Sequence, residues 1–165
     1  MLQNSFIWRV MRRVNQRVVR AYATQNNLSR PVLLLTTTGR RSGMPRVAPL
    51  QYEEIDGTIY LAAARGQKAD WFRNIVAHPQ VQIQIGTRTF SATAEPTTDT
   101  THIADFLETR RTRHPQMIGA MLLLHGLSPR VDRQALEKLA QELALVALHP
   151  REQNRFAGYA DSPAH

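Results

Sequence analysis

The sequence contains no cysteine, and only two of its 21 basic residues are lysines. Without cysteine, the chain has neither a disulfide framework nor a thiolate metal site. No apolar run approaches the roughly 20 residues that a membrane-spanning helix needs. The N-terminus is basic but lacks the apolar core and the small-residue cleavage site of a signal peptide. We therefore expect a cytoplasmic protein, and a length of 165 residues predicts a single domain.

Acidic residues are absent from the first third of the chain. Nine arginines and no acid precede Glu53, whereas twelve basic residues and thirteen acids follow from that position onward. The net charge of +8 therefore comes from the first third (+9, then −1). Arginine binds phosphate and carboxylate in a bidentate manner, which makes an anionic ligand one explanation. An arginine bias can also come from a GC-rich genome, so composition leaves both explanations open.

The common catalytic motifs are missing as well. The six histidines are scattered without an HxH or HxxxH pair, so no metal site is expected. No serine lies in a GxSxG elbow, and neither GxGxxG nor GxxxxGK[ST] occurs. Glu53 and Glu54 are adjacent in a predicted strand and point to opposite faces, which is poor geometry for a catalytic pair.

The N-terminal segment is amphipathic. Residues 6–23 have an apolar face and an arginine face at helical spacing, within a predicted N-terminal helix over residues 1–24. One interpretation is a surface helix that packs on the barrel by its apolar stripe. The other is peripheral contact with the anionic inner face of the membrane, with Trp8 near the boundary.

The rest of the pattern predicts a small antiparallel β-barrel with helices packed outside, an α+β fold. Asp56-Gly57 is a type I′ hairpin signal, and "QVQIQI" alternates as a strand with one wet face does. Helices are predicted at 69–77, 98–111, 114–125 and 132–142, and strands at 32–38, 45–55, 58–64, 80–85, 88–95 and 143–148. The segments are then a barrel core over 32–96, a helical segment over 98–142 and a closing strand over 143–150.

Two loops combine basic and small residues. "GRRSGMPR", residues 39–46, offers three guanidinium groups, a serine hydroxyl and backbone N–H groups freed by glycines, which suits a phosphate. "ARGQKADW", residues 64–71, adds Arg65, Lys68, an aromatic plane and a helix N-terminus. We interpret Asp70 as the N-cap of that helix. A solvated basic hairpin is the alternative to a phosphate site.

These motifs resemble the deazaflavin-dependent nitroreductase family, whose members have a split β-barrel like that of FMN-binding proteins. "TTTGRRSGMPRVAPL", residues 36–50, contains every element of the family hallmark T-T-G-R-[KR]-[ST]-G-x-P-R-x-x-P-[LV]. "YLAAARGQKADWFRNIVAHPQVQIQIG", residues 60–86, follows the second family motif, and "ALVALHP" resembles its closing strand. The resemblance implies coenzyme F-420, an 8-hydroxy-5-deazaflavin, as the cofactor.

The resemblance also implies a set of cofactor-binding residues. The basic turn would hold the phosphate and acidic tail, two pairs of small residues would line the ring, and the second loop would close the site. In that order these residues are Arg40, Arg41, Ser42, Gly43 and Arg46; Ala48, Pro49, Ala63 and Ala64; and Arg65, Gly66, Lys68, Ala69, Asp70, Trp71 and Asn74. Ala64-Arg65 replaces the Ser-Lys of the family loop, which leaves FMN as an alternative cofactor.

The implied activity is hydride transfer from reduced coenzyme F-420 to an electron-poor acceptor such as a quinone or a nitroaromatic. The cofactor supplies the chemistry, so no nucleophile or metal is needed. Tyr52 and Tyr60 are candidate proton donors. The alternatives are an FMN-dependent reductase of the same fold and a non-catalytic carrier of a flavin, haem or lipid. Barrels of this type often pair, so a homodimer is expected, whereas no motif predicts nucleic-acid binding.

Overall fold

The computed structural model describes residues 31–151. This part of the chain forms seven strands, four α-helices and one 3-10 turn at Gly66–Lys68. The strands are β1 (Val32–Thr38), β2 (Pro45–Gln51), β3 (Glu53–Ile55), β4 (Thr58–Ala63), β5 (Gln80–Ile85), β6 (Arg88–Thr97) and β7 (Ala144–Pro150). The helices are α1 (Asp70–Ala77), α2 (Thr100–Arg113), α3 (Pro115–Leu124) and α4 (Arg133–Ala140).

The first hairpin joins a buried strand to a more exposed one. β1 is rich in leucine and threonine and is buried along most of its length, as its apolar sequence predicts. It pairs with β2 from Val32 opposite Gln51 to Thr38 opposite Pro45. The turn between these strands, residues 39–44, therefore stands at one end of the sheet.

The extended segment that follows this turn is divided in two. β2 pairs with β1, whereas β3 pairs with β4, and Tyr52 separates the two halves. Since β2 and β3 are the two ends of the sheet order β2-β1-β5-β6-β7-β4-β3, this one segment joins both edges. The antiparallel sheet thereby curls into a barrel that is closed near Tyr52 and split beyond it, where β2 and the end of β4 do not pair.

The turn between β3 and β4 has the backbone that its sequence predicts. Asp56 has φ 51° and Gly57 has φ 79°, so both central residues are left-handed, as a type I′ turn requires. The Asp-Gly signal is therefore confirmed.

Two apolar cores lie on opposite faces of β4 and β7. Ile59, Leu61 and Ala63 point into the barrel, whereas Tyr60 and Ala62 point outward toward the helices. α1 packs in the barrel core with Phe72 and Ile75, and α2, α3 and α4 form the outer layer.

The start of α2 differs from the prediction. β6 continues to Thr97, and the helix begins at Thr100 rather than at residue 98. Asp99 is the N-cap, and its carboxylate accepts a hydrogen bond from the His102 N–H at 2.7 Å. The helix begins where this cap satisfies its first free N–H groups.

No helix within residues 31–151 combines the length and the apolar character needed to cross a bilayer. The predicted N-terminal helix, with its membrane-surface interpretation, lies outside the described residues.

A glycine at the 3-10 turn offers a test of this fold. Gly66 has φ +54°, and a Cβ there would lie 2.5 Å from the Glu142 carbonyl oxygen. Gly86 has φ +58° but open space around it. We expect Gly86→Ala to lower the free energy of unfolding by about 1–2 kcal/mol, the cost of a left-handed alanine. Gly66→Ala adds a collision with the backbone, so its urea midpoint should be clearly lower than that of Gly86→Ala. Equal midpoints would contradict the close approach at Gly66.

Candidate cofactor site

A cleft of about 780 Å³ occupies the split of the barrel. Its walls come from the basic turn with the adjoining part of β2, from the end of β4, and from the first turns of α1. Because β2 and β4 separate here, the cleft is bounded by the backbone edges of two strands as well as by side chains.

Most of the residues predicted for the site meet in this cleft. Those that line it are Arg40, Arg41, Ser42, Arg46, Ala48, Ala63, Ala64, Arg65, Ala69, Asp70, Trp71 and Asn74. The predicted residues Gly43, Pro49, Gly66 and Lys68 do not line it, whereas Pro49 borders a neighbouring cavity. The prediction did not include Thr37, Gly39, Val47, Leu50 and Ala62, which also line the cleft. The first four lie within the motif of residues 36–50 and Ala62 lies within that of residues 60–86, so the motifs were the available signal.

The N–H groups of the turn glycines are already engaged, which corrects the prediction that they are free for a phosphate. The Gly43 N–H donates to the Gly39 carbonyl at 2.8 Å, and the Gly39 N–H donates to the Met44 carbonyl at 2.8 Å. The Met44 N–H donates to the Ser42 Oγ at 3.3 Å. These bonds fix the shape of the turn, and the phosphate prediction then depends on the guanidinium groups rather than on the glycine N–H groups.

Asn74 connects the basic turn to α1. Its side chain is buried; Oδ1 accepts from the Arg40 N–H at 3.2 Å and from Arg40 Nη1 at 3.1 Å. Its Nδ2 donates to the Thr37 Oγ1 at 3.1 Å. A buried amide with both ends bonded resists displacement, because each broken bond would leave a desolvated polar group. Asn74 therefore positions the turn.

Asp70 is not the N-cap of α1, so that prediction was wrong. Ala69 is the cap residue, without a side-chain bond, and Asp70 is the first helical residue. The Asp70 carboxylate instead accepts from Arg40 Nη2 at 2.9 Å and is 80% exposed. This hydrogen bond, followed by the charge of Arg40, lowers the pKa of Asp70, and the more distant charges of Arg73 and Arg65 act in the same direction.

Three further arginines of the cleft keep their charge unpaired. Arg41, Arg46 and Arg65 are exposed and make no ion pair with a carboxylate of residues 31–151. Ala48, Ala63, Ala64 and other small residues line the same cleft. Basic groups and small apolar walls in one cleft can accept a flat molecule with an anionic substituent.

The two candidate proton donors lie beyond the cleft. Tyr52 and Tyr60 line a neighbouring cavity that shares Leu50, Ala62 and Ala64 with it. Tyr60 also packs against the Phe106 ring, with the ring centroids 5.6 Å apart. Among the described residues, no three His, Asp or Glu side chains come together as a metal site would need.

The Arg40–Asp70 pair predicts a specific dependence on pH. Because the pKa of Asp70 is lowered in the folded state, the pair stabilises the fold above the ordinary carboxyl pKa, and this contribution is lost as the pH falls through the lowered pKa. In Arg40→Gln, an NMR titration should show the pKa of Asp70 moving back up. Arg73→Gln, which removes only a distant charge, should give a smaller change. Equal changes in the two variants would contradict the assigned cause.

Solved structures confirm the fold. The chain is similar to a conserved hypothetical protein of Mycobacterium tuberculosis, with a TM-score of 0.52 and 20% identity over 80% of this chain and 79% of the other. It is also similar to HutZ, a haem storage protein of Vibrio cholerae, with a TM-score of 0.50 and 19% identity over 80% of this chain and 89% of the other. At these identities the likeness concerns the fold alone, and it agrees with the predicted split β-barrel.

Sequence relatives define the family more closely. An F420H(2)-dependent quinone reductase of Mycobacterium tuberculosis is 40% identical over 70 residues, which cover 40% of this chain and 46% of that relative. The chain thus matches less than half the length of this curated relative. The family model of the F420H(2)-dependent quinone reductases matches residues 8–118, which is more than half of the chain. The resemblance to deazaflavin-dependent enzymes is thereby confirmed, and the chain belongs to the F420H(2)-dependent quinone reductase family.

Proposed function

We propose that the protein transfers a hydride from reduced coenzyme F-420 to a quinone. One observation carries this proposal: the split of the barrel brings several alanines and three arginines, which have no carboxylate partner among the described residues, into one cleft. Membership of the F420H(2)-dependent quinone reductase family supports the same cofactor and acceptor. An FMN-dependent reductase and a nitroaromatic acceptor receive no comparable support.

The residues of the cleft fit an anionic deazaflavin. Arg41 and Arg46 would bind the phosphate and the acidic tail, together with the Ser42 hydroxyl, since guanidinium groups bind such anions in a bidentate manner. Arg65 would reach the tail from the opposite side of the cleft. Arg40, already bonded to Asn74 and Asp70, would hold the turn in place rather than bind the phosphate itself.

The ring would lie between the separated edges of β2 and β4. Ala48, Ala63 and Ala64 leave room for a flat ring because each carries only a methyl group. The strand edges present backbone N–H and C=O groups that the sheet does not use in this region, and such groups bond readily to a ligand. Trp71, half-buried at the start of α1, would close the slot from the helix side.

When bound, the reduced coenzyme supplies a hydride from its ring carbon. The protein's part is to hold the ring, to exclude water and to deliver a proton, because a quinone that receives a hydride needs one proton to become a hydroquinone. Tyr52 and Tyr60 line the cavity next to the slot, and we propose one of their hydroxyl groups, or solvent, as the source.

Binding constants test the assignment of the arginines. We expect Arg41→Ala and Arg46→Ala each to weaken coenzyme F-420 about tenfold or more, because a hydrogen bond to a charged group contributes roughly 1.5–3 kcal/mol. Arg88→Ala removes an equal charge from the β5–β6 turn, away from the cleft, and serves as the control. Fluorescence titration with coenzyme F-420 and, in parallel, with FMN measures each affinity. Unchanged affinity in both cleft variants would remove the phosphate assignment, and tighter binding of FMN would replace the cofactor.

Turnover distinguishes an enzyme from a carrier. When a quinone and the wild-type protein are added, the reduced coenzyme should be oxidised and its characteristic absorbance should disappear. A nitro dye should be reduced more slowly. Stoichiometric binding of the coenzyme without turnover across a panel of quinones would favour a non-catalytic carrier.

Two further proposals concern partners. Contact of residues 6–23 with an anionic membrane surface and pairing of two barrels as a homodimer stay proposals, as does a cytoplasmic location. Removal of residues 1–24, followed by sedimentation with anionic liposomes, addresses the first.

A further inference from the structure

Two further cavities lie beyond the cleft. A cavity of about 440 Å³ shares Leu50, Ala62 and Ala64 with the cleft and runs outward under α3. A cavity of about 600 Å³ then shares Tyr52 and Glu53, among others, with the second cavity. We call this row of adjoining cavities, from the proposed position of the ring to the junction of α2 and α3, the passage.

The middle of the passage is apolar. Its lining includes the packed rings of Phe106 of α2 and Tyr60 of β4, together with Ile118 and Met121 of α3. These walls suit an aromatic ring or an alkyl chain, and they offer a polar ligand few partners.

The far end of the passage carries a surplus of positive charge. Glu53 is only 11% exposed, and its carboxylate lies 3.5 Å from Arg110 Nε, 4.0 Å from Arg113 Nη1 and 3.1 Å from His114 Nε2. Two guanidinium groups therefore face one carboxylate. Arg110 is also held over the Phe106 ring, 5.5 Å from its centroid, while Arg113 donates to the Glu54 carbonyl at 2.8 Å.

A purely structural role explains only part of this arrangement. Basic residues in the last turn of α2 interact favourably with the helix dipole, and Glu53 ties that turn to β3. One arginine would neutralise the carboxylate. Arg113 is 42% exposed and lines the cavity, so its charge remains available to a ligand that arrives through the passage.

We infer that this passage binds the acceptor, and that the preferred acceptors are quinones whose side chain ends in an anion such as a carboxylate. The inference rests on the proposed function. The quinone ring would lie near Leu50 and Ala62, beside the coenzyme, and its chain would pass Met121 and end near Arg113. The ring gains the hydride and one proton, while the anionic group stays unchanged.

The first test blocks the passage. The probes are a benzoquinone with a carboxyalkyl chain and its methyl ester, and calorimetry measures their binding to the coenzyme-free protein. Met121→Trp should weaken the binding of both probes about tenfold, since the larger side chain fills the apolar section of the passage. Leu123→Trp, on the same helix but 62% exposed and outside the passage, should leave both affinities unchanged.

A second blocking variant guards against misfolding. Ala120 lines both outer cavities, so Ala120→Leu should act in the same direction as Met121→Trp. If the control Leu123→Trp and both blocking variants bind the two probes with equal affinity, the passage is not the acceptor site.

The second test removes the charge. Arg113→Gln should weaken the carboxylate probe about tenfold and leave the methyl ester unchanged, because only the anion loses a charge-assisted hydrogen bond. Arg130→Gln removes an equal charge outside the passage and should change neither affinity. If Arg113→Gln lowers the affinity for both probes to the same extent, or for neither, the preference for an anion is overturned.

The two proposals fail separately. If coenzyme F-420 does not bind, the proposed function is removed, even where the protein binds the carboxylate probe more tightly than its methyl ester through Arg113. The other failure is also distinct. If the coenzyme binds and quinones are reduced, but Met121→Trp, Ala120→Leu and Arg113→Gln leave the probe affinities unchanged, the proposed function stands and the acceptor passage is removed.

Discussion

The site follows from one extended segment that changes its pairing partner at Tyr52. Residues 45–51 pair with β1 and residues 53–55 pair with β4, so the barrel closes at Tyr52 and separates beyond it. The separated strands leave backbone groups without sheet partners, which exposes polar atoms where a flat ligand can use them. A barrel that was closed along its whole length would have neither the cleft nor the passage behind it.

Charge in the cleft is distributed by a small polar network. The Asn74 amide holds Arg40 by its backbone and its guanidinium, and Asp70 pairs with the same guanidinium. One of the four cleft arginines is thereby neutralised and fixed, and Arg41, Arg46 and Arg65 keep their charges. The Gly39 and Gly43 N–H groups are bonded within the turn and the Arg40 N–H is bonded to Asn74, so the shape of the turn is set before a ligand arrives. Such preorganisation reduces the ordering cost of binding.

The sequence predicted what depends on neighbouring residues, and it failed where distant residues decide. Asp56-Gly57 and the alternation of residues 80–85 specify their turn and strand locally, and both were confirmed. Asp70 looks like an N-cap because its partner, Arg40, lies 30 positions earlier and is not visible in a local pattern. Leu50 and Ala62 were missed for the same reason, because their place in the cleft depends on how the sheet closes. The two motifs, residues 36–50 and 60–86, together predicted most of the cleft, since they contain the basic turn, most of β2, the end of β4 and the whole of α1.

The split gives the barrel two approaches to the same strand edges. The basic turn opens on one side, and the passage under α3 opens on the other, with Leu50, Ala62 and Ala64 common to both. On the proposed function, donor and acceptor would therefore be bound at the same time on either side of these residues. Hydride transfer between two bound partners needs no covalent intermediate. On the same proposal, the small side chains of Ala62 and Ala64 would allow the two rings to approach, because a larger residue at either position would stand between them.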